Sequence, residues 1–177
     1  MIVHNTRNGV ERLRVPPDLF ETHFEEIHRY IARRLSDDVA DDLAADVFLV
    51  ALRGGYDGVK GEVRPWLYGI ATNLVARHRR TEVSRLKALA RAAERHVEDR
   101  EDELLDRVDA ARFTGPLAGA LAGLKRRDRD VVLLIALSGL THAEVAEALG
   151  IPYGTVASRL NRARKQLRKA LKEDVDG

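Results

Sequence analysis

Positively charged and amide side chains are concentrated in the segment from Tyr153 to Lys172, which contains no Asp or Glu. An arginine can pair bidentately with guanine and an asparagine with adenine, each good contact being worth about 1–3 kcal/mol of discrimination. Hydroxyl groups and free N–H groups at a helix start suit a phosphate. The pattern predicts DNA contacts from Tyr153, Thr155, Ser158, Arg159, Asn161, Arg162 and Lys165.

The residues before this segment predict how it is positioned. Thr141 is placed to cap a helix and Glu144, three residues on, can reach back to the cap N–H. Gly150 can end that helix in a left-handed conformation, and Pro152 can start the next one. The sequence therefore predicts a helix-turn-helix whose second helix is the basic one.

The N-terminal half shows three further amphipathic helices. Ser36 followed by two aspartates is a good cap for the second of them, and Pro65 opens the third, which we expect to end in the basic run 77–80. Three such helices can share one core. The apolar stripe of the first helix is Phe20, Phe24, Ile27, Ile31 and Leu35.

Charge is strongly segregated along the chain although the net charge is only +2. Residues 18–58 hold ten acidic residues against four Arg, whereas residues 59–95 hold nine Lys or Arg against three Glu. A further seven acidic residues lie between positions 97 and 110. Different segments are therefore expected to face different partners.

Composition indicates an all-α protein of two small helical domains joined by a charged linker. The predicted organisation is a flexible arm over 1–17, a first domain over 18–81, a partly helical linker over 82–115 and a helix-turn-helix domain over 116–177. The chain has no cysteine, no long apolar run and no signal-peptide pattern, so we expect a cytoplasmic protein that is not inserted in a membrane.

Three motifs in this order resemble the extracytoplasmic-function (ECF) sigma factors of bacterial RNA polymerase. Residues 42–49 are similar to the family's acidic polymerase-binding helix and residues 64–74 to its promoter-opening helix. Residues 150–164 are similar to its reader of the upstream (−35) element. The family often has Gln and Glu where this chain has Ala45 and Asp46, and Lys or Arg where it has Ala157.

The resemblance implies a sigma factor that binds core RNA polymerase and promoter DNA and recognises the −35 and −10 elements. It also implies an anti-sigma factor as a partner, and no catalytic activity, cofactor or metal. The implied polymerase contacts are Asp41, Asp42, Asp46 and Phe48. The implied −10 contacts are Lys60, Gly61, Asn73, Arg77, Arg79 and Arg80, with Asn73 at the position that reads a flipped base.

The same residues also have purely structural interpretations. The three aspartates could only solvate a helix, Asn73 could be an ordinary exposed residue, and Trp66 is better explained as core than as a stacking platform. The alternative function is a stand-alone helix-turn-helix regulator that needs no polymerase. An enzyme is disfavoured because neither a phosphate-binding loop, a nucleophile elbow nor paired metal ligands can be found in the sequence.

Overall fold

The computed structural model describes residues 15–56, 61–92 and 115–173, and within these ranges every regular element is an α-helix. The all-α prediction is confirmed. The helices are α1 (Leu19–Ala32), α2 (Asp37–Gly54), α3 (Val63–Ala92), α4 (Pro116–Ala122), α5 (Arg126–Ser138), α6 (His142–Leu149) and α7 (Tyr153–Glu173).

Helices α1, α2 and α3 pack together through the apolar stripes predicted from the sequence. Phe24 lies 4.6 Å from Phe20 and 5.9 Å from Phe48 between ring centroids, which joins α1 to α2. The Tyr30 and Tyr68 rings meet edge to face at 5.1 Å and join α1 to α3.

Helix α3 is longer than the sequence analysis expected. It continues past the basic run 77–80 and through the first part of the proposed linker to Ala92. Residues 81–92 contain no Gly or Pro, and Leu, Lys, Arg and Ala are strong helix formers, so nothing interrupts the helix there. The acidic segment 97–110 and most of the N-terminal arm lie outside the described residues.

The helix-turn-helix forms as predicted. The Thr141 hydroxyl accepts from the Glu144 N–H at 3.3 Å while the Glu144 carboxylate accepts from the Thr141 N–H at 2.7 Å. Gly150 ends α6 in the left-handed region with φ 60°. Gly139 ends α5 in the same way with φ 69°, as its place after the apolar run predicts.

Arg129 fixes α4 to α5. Its buried guanidinium donates to the carbonyls of Leu121 and Leu124 at 2.8 and 2.5 Å. Leu121 lies in the last turn of α4, where carbonyls have no partner within the helix, and Leu124 follows just after the helix end. The short helix is thereby positioned against α7, where Leu121, Leu124 and Ala163 form a small second core.

The two helical halves share one core in this structure. Buried side chains of α3, such as Leu67 and Val75, belong to the same apolar cluster as Val131 and Leu134 of α5 and Val145 of α6. Polar groups cross the same boundary. The recognition helix and the three-helix unit are therefore held in one compact arrangement.

Candidate nucleic-acid interface

The acidic residues of α2 lie on its solvent face. Asp41, Asp42 and Asp46 are all exposed, whereas Leu43 and Val47 are buried against the other helices. Asp41 also contacts the His28 ring at 2.8 Å. An exposed acidic face repels DNA phosphates and complements a basic protein surface.

Phe48 does not share that exposure, because only 4% of its surface is accessible and its ring packs on Phe20 and Phe24. The exposed large apolar side chains on the last turns of α2 are Leu49, Val50 and Leu52, of which Leu52 is 65% accessible. Neither leucine was predicted as a polymerase contact, because the spacing of apolar residues in α2 does not show which of two neighbouring apolar side chains is buried.

Helix α3 presents a polar and basic face. Asn73, Arg77 and Arg80 follow one another at spacings of four and three, and all three are exposed. Trp66 is partly buried and packs against the core, as its structural interpretation expects. This face offers an amide for a base and two guanidinium groups for phosphates.

Arg79 occupies a different environment from its neighbours in the basic run. It is 3% accessible, and its guanidinium donates to the Arg34 carbonyl at 2.8 Å. Burial, together with the nearby Arg34 guanidinium, lowers the pKa of Arg79. In this arrangement Arg79 therefore does not present its charge to solvent.

The loop before α3 touches α6. Lys60 lies outside the described residues, but Gly61 is described, with φ 152°, and its carbonyl accepts from the Tyr56 hydroxyl at 2.5 Å. A Cβ at position 61 would overlap the Glu147 carboxylate. The candidate −10 loop and the first helix of the helix-turn-helix are thus in direct contact.

Exposed residues of α7 form the predicted recognition surface. Ser158, Asn161 and Lys165 lie on one side of the helix at spacings of three and four and are all exposed. Tyr153 at the helix start is 57% accessible, and Arg159 and Thr155 are partly exposed. The first half of α7 can therefore reach a DNA groove.

Arg162 is engaged in a bidentate ion pair that sequence reasoning did not foresee. Its Nε and its Nη2 donate to the two Asp128 carboxylate oxygens at 2.7 and 2.8 Å. Asp128 belongs to α5 and is 1% accessible. The pair joins α7 to α5 and uses two of the five guanidinium N–H groups, while 52% of the Arg162 side chain stays accessible.

Replacing Arg162 with Met is expected to lower the thermal midpoint at pH 7, because Asp128 then remains buried without its partner. Hydrogen bonds from Arg162 lower the pKa of Asp128. A carboxyl group whose pKa is lowered on folding stabilises the fold above about pH 4. That stabilisation is lost as the pH falls through the folded-state pKa. Thermal melts between pH 3 and 7 should therefore show the deficit of the variant shrinking in acid.

Arg164→Met on the same helix is the matched control, since Arg164 is exposed. It should melt like the wild type at every pH. A deficit for Arg162→Met that stays constant from pH 7 to pH 3 would show that the Asp128 pair does not stabilise the fold.

Comparison with known proteins shows the family to which the chain belongs. Residues 19–85 match the family description Sigma-70 region 2, and residues 115–167 match Sigma-70, region 4. The chain is 33% identical over 158 residues to the ECF RNA polymerase sigma factor SigE of Mycolicibacterium smegmatis, covering 87% of this chain and 60% of that relative. It is 30% identical over 162 residues to the RNA polymerase sigma factor YlaC of Bacillus subtilis, covering 86% of this chain and 89% of YlaC.

A solved structure agrees on the fold. The sigma factor RpoE of Bartonella quintana, determined in complex with the anti-sigma factor NepR, superposes with a TM-score of 0.52 at 22% identity, over 88% of this chain and 95% of that one. Fold and sequence together define a promoter-recognising factor of the sigma-70 class.

Within that class the chain belongs to the ECF sigma factors, a family of non-enzymatic transcription initiation factors. The described ranges contain no cluster of three or more His, Cys, Asp or Glu side chains that could hold a metal ion. Nor is any helix there long and apolar enough to cross a bilayer.

Proposed function

We propose that this chain binds core RNA polymerase through the exposed face of α2. Asp41, Asp42 and Asp46 supply the charge, and Leu49 and Leu52 supply apolar contact beside it. The observation that carries this assignment is the separation of exposed acidic and exposed basic faces onto α2 and α3 of one domain. A factor with this separation can hold a protein and DNA at the same time.

The α3 face is proposed to hold one strand of an opened −10 element. A flipped base needs a hydrogen-bonding group, and extrusion costs a few kcal/mol that protein contacts must offset. Asn73 would read the base, with Arg77 and Arg80 on the neighbouring phosphates. Lys60 and Gly61 would line the loop side, and Arg79 would join the phosphate contacts only if it becomes exposed.

The first half of α7 is proposed to read the −35 element in the major groove. Ser158, Arg159 and Asn161 would meet base edges, and Arg162 would join them through the guanidinium N–H groups that Asp128 does not bind. The start of the helix suits a phosphate. The phosphate contacts would be Tyr153, Thr155 and Lys165.

We further propose that the chain has no catalytic activity of its own, works in the cytoplasm with RNA polymerase, and is controlled by an anti-sigma factor. The anti-sigma proposal draws on the Bartonella quintana relative, which was solved with such a partner. A stand-alone regulator is not favoured, because it would have no use for the acidic α2 face.

Transcription in vitro with purified core polymerase and a library of randomised promoters tests the function. The proposal predicts that transcripts start at defined sites that share two short elements. Core enzyme alone is the control and should not select them. Footprinting of duplex DNA by the chain without core enzyme would support the regulator instead.

A further inference from the structure

A buried carboxylate of α5 meets the recognition helix α7, and the inference drawn from it rests on the proposed reading of the −35 element. Asp128 is 1% accessible, and its two oxygens accept from Arg162 at 2.7 and 2.8 Å. These hydrogen bonds lower the pKa of Asp128, and the charges of Arg159 and Lys125 act in the same direction. The carboxylate is therefore charged at neutral pH and lies near two arginines of the helix proposed to meet DNA.

Asp128 is held in place by its neighbours at the start of α5. Its N–H donates to the Lys125 carbonyl at 2.8 Å, in the first turn of the helix, where the helix dipole favours a negative charge. The next residue, Arg129, is buried and donates to the carbonyls of Leu121 and Leu124. Asp128 is thus a fixed point against which a side chain of α7 can be held.

Arg162 is fixed at both of its ends. Its neighbour Ala163 is fully buried in the small core with Leu121 and Leu124, which fixes the backbone of α7 at this turn. At the far end of the side chain, Asp128 binds the guanidinium. A long side chain that is ordered before binding does not lose that freedom on DNA, a saving equivalent to roughly twofold to tenfold in affinity.

The two hydrogen bonds occupy one edge of the Arg162 guanidinium and leave another edge intact. Asp128 accepts from the Nε–H and from one N–H of Nη2. Three of the five N–H groups remain, two on Nη1 and one on Nη2, and 52% of the side chain is accessible. One N–H of Nη1 and the free N–H of Nη2 lie side by side, and such a pair of donors matches O6 and N7 of guanine in the major groove.

The ion pair also affects which part of the DNA Arg162 can bind well. A phosphate is bound chiefly through charge, and the adjacent Asp128 carboxylate weakens that attraction. A guanine is bound through two directed hydrogen bonds, which the fixed guanidinium still offers. Lys165, which is exposed about one turn further along α7, carries the compact charge that suits a phosphate.

We propose that Asp128 is a positioning residue for promoter recognition: by holding Nε and Nη2 of Arg162, it directs the remaining pair of donors to a guanine of the −35 element. The carboxylate is covered by Arg162 and does not itself contact the DNA. Its effect is on the base preferred at one position of the element, and not on how tightly the chain binds DNA in general.

Asp128→Asn is the variant that tests this proposal. The amide has almost the size of the carboxylate, but it has one oxygen only and carries no charge, so it cannot accept both hydrogen bonds. Glu147→Gln is the matched control, since it makes the same exchange on α6. The charged groups that act on the pKa of Glu147 are Glu62 and Glu144, neither of which lies on α7.

The first measurement uses holoenzyme reconstituted from the full-length chain and core polymerase. It selects by binding from promoters that keep the −10 element and are randomised over the −35 element. Arg162→Met should lower the preference for guanine at one position by roughly fivefold or more. Asp128→Asn should lower it at that same position by roughly twofold to tenfold, and Glu147→Gln should leave it unchanged.

Two further comparisons separate positioning from stability, with every assay run well below the lowest thermal midpoint. Binding of the Asp128→Asn holoenzyme to a promoter with a scrambled −35 element should not weaken, whereas a distorted helix-turn-helix would weaken it. Asp128→Asn added to Arg162→Met should cause no further loss of guanine preference, because no guanidinium is left to position. Wild-type preference in Asp128→Asn, a loss spread over all positions, or a further loss in the double variant would each overturn the proposal.

A measurement on the free chain shows whether the pair forms without any promoter. The Arg162 Nε–H, identified by its absence in Arg162→Met, should give a slowly exchanging NMR signal in the wild type and a rapidly exchanging one in Asp128→Asn. Rapid exchange in the wild type would overturn the inference and leave the proposed function standing. If wild-type holoenzyme shows no −35 preference while the signal persists, the proposed −35 function fails, and the inference fails with it.

Discussion

Replacing Asp42 with Arg is expected to weaken binding of the chain to core polymerase at least tenfold. Asp42 is exposed in the middle of the acidic α2 face, so the change reverses a charge without disturbing the core. Like charges placed opposite each other at a protein interface cost several kcal/mol, which exceeds the roughly 1.4 kcal/mol that a tenfold loss requires. Titration of fluorescently labelled chain with core enzyme measures the change directly.

Glu25→Arg is the control for that experiment. Glu25 is an exposed carboxylate on α1 that pairs with the exposed Arg29, and such surface pairs contribute little to stability. Charge reversal there should leave the affinity within about twofold of the wild type. Equal polymerase affinity of the wild type and the Asp42→Arg variant would show that this face of α2 does not contact the polymerase.

The second large effect is expected from Asn73→Ala. Loss of an amide that pairs with a base removes about 1–3 kcal/mol of discrimination, or roughly fivefold to 150-fold in promoter preference at one position. Asn73 is exposed, so the fold should be unaffected. Competitive transcription from templates that differ at single −10 positions measures the preference.

Thr81→Ala provides the comparison on the same helix. Thr81 is exposed, and its hydroxyl bonds only the Arg77 carbonyl at 3.2 Å among the hydrogen bonds described. The Thr81 variant should discriminate like the wild type. If Asn73→Ala retains full preference at every −10 position, the flipped base is read elsewhere.

Local signals predicted the local structure well. The capping box of Thr141 and Glu144, the left-handed glycines 139 and 150, and the amphipathic stripe of α1 each depend on residues close in sequence. The interactions that form these features join residues within a few turns of helix, so residue spacing alone predicts them. The end of α3 was misplaced because a basic run resembles a helix terminus even where the following residues continue the helix.

Long-range contacts were not predictable in the same way. Arg34 and Asp130 are 96 residues apart, and nothing in either local pattern indicates that they pair. The same holds for Arg162 and Asp128, and for the burial of Arg79 and Phe48. Packing between whole helices decides which charged or apolar side chain becomes buried. The spacing of residues within one helix does not reveal this packing.

These contacts affect which candidate residues are available to bind DNA. Asn73, Arg77 and Arg80 are exposed, whereas Arg79 is buried. On α7, two of the guanidinium N–H groups of Arg162 are bound by Asp128, which leaves fewer of them for a base. The strongest tests of DNA contact are therefore at Asn73, Arg159 and Asn161.

The central claim is that one chain couples a polymerase to locally opened DNA, and permanganate reactivity of promoter thymines tests it most directly. On a promoter selected by transcription, we predict reactive thymines within the −10 element only when the chain and core enzyme are both present. Asp42→Arg and Asn73→Ala should each reduce the signal. Thymines that stay unreactive with both proteins present, or that react with the chain alone, would contradict the account.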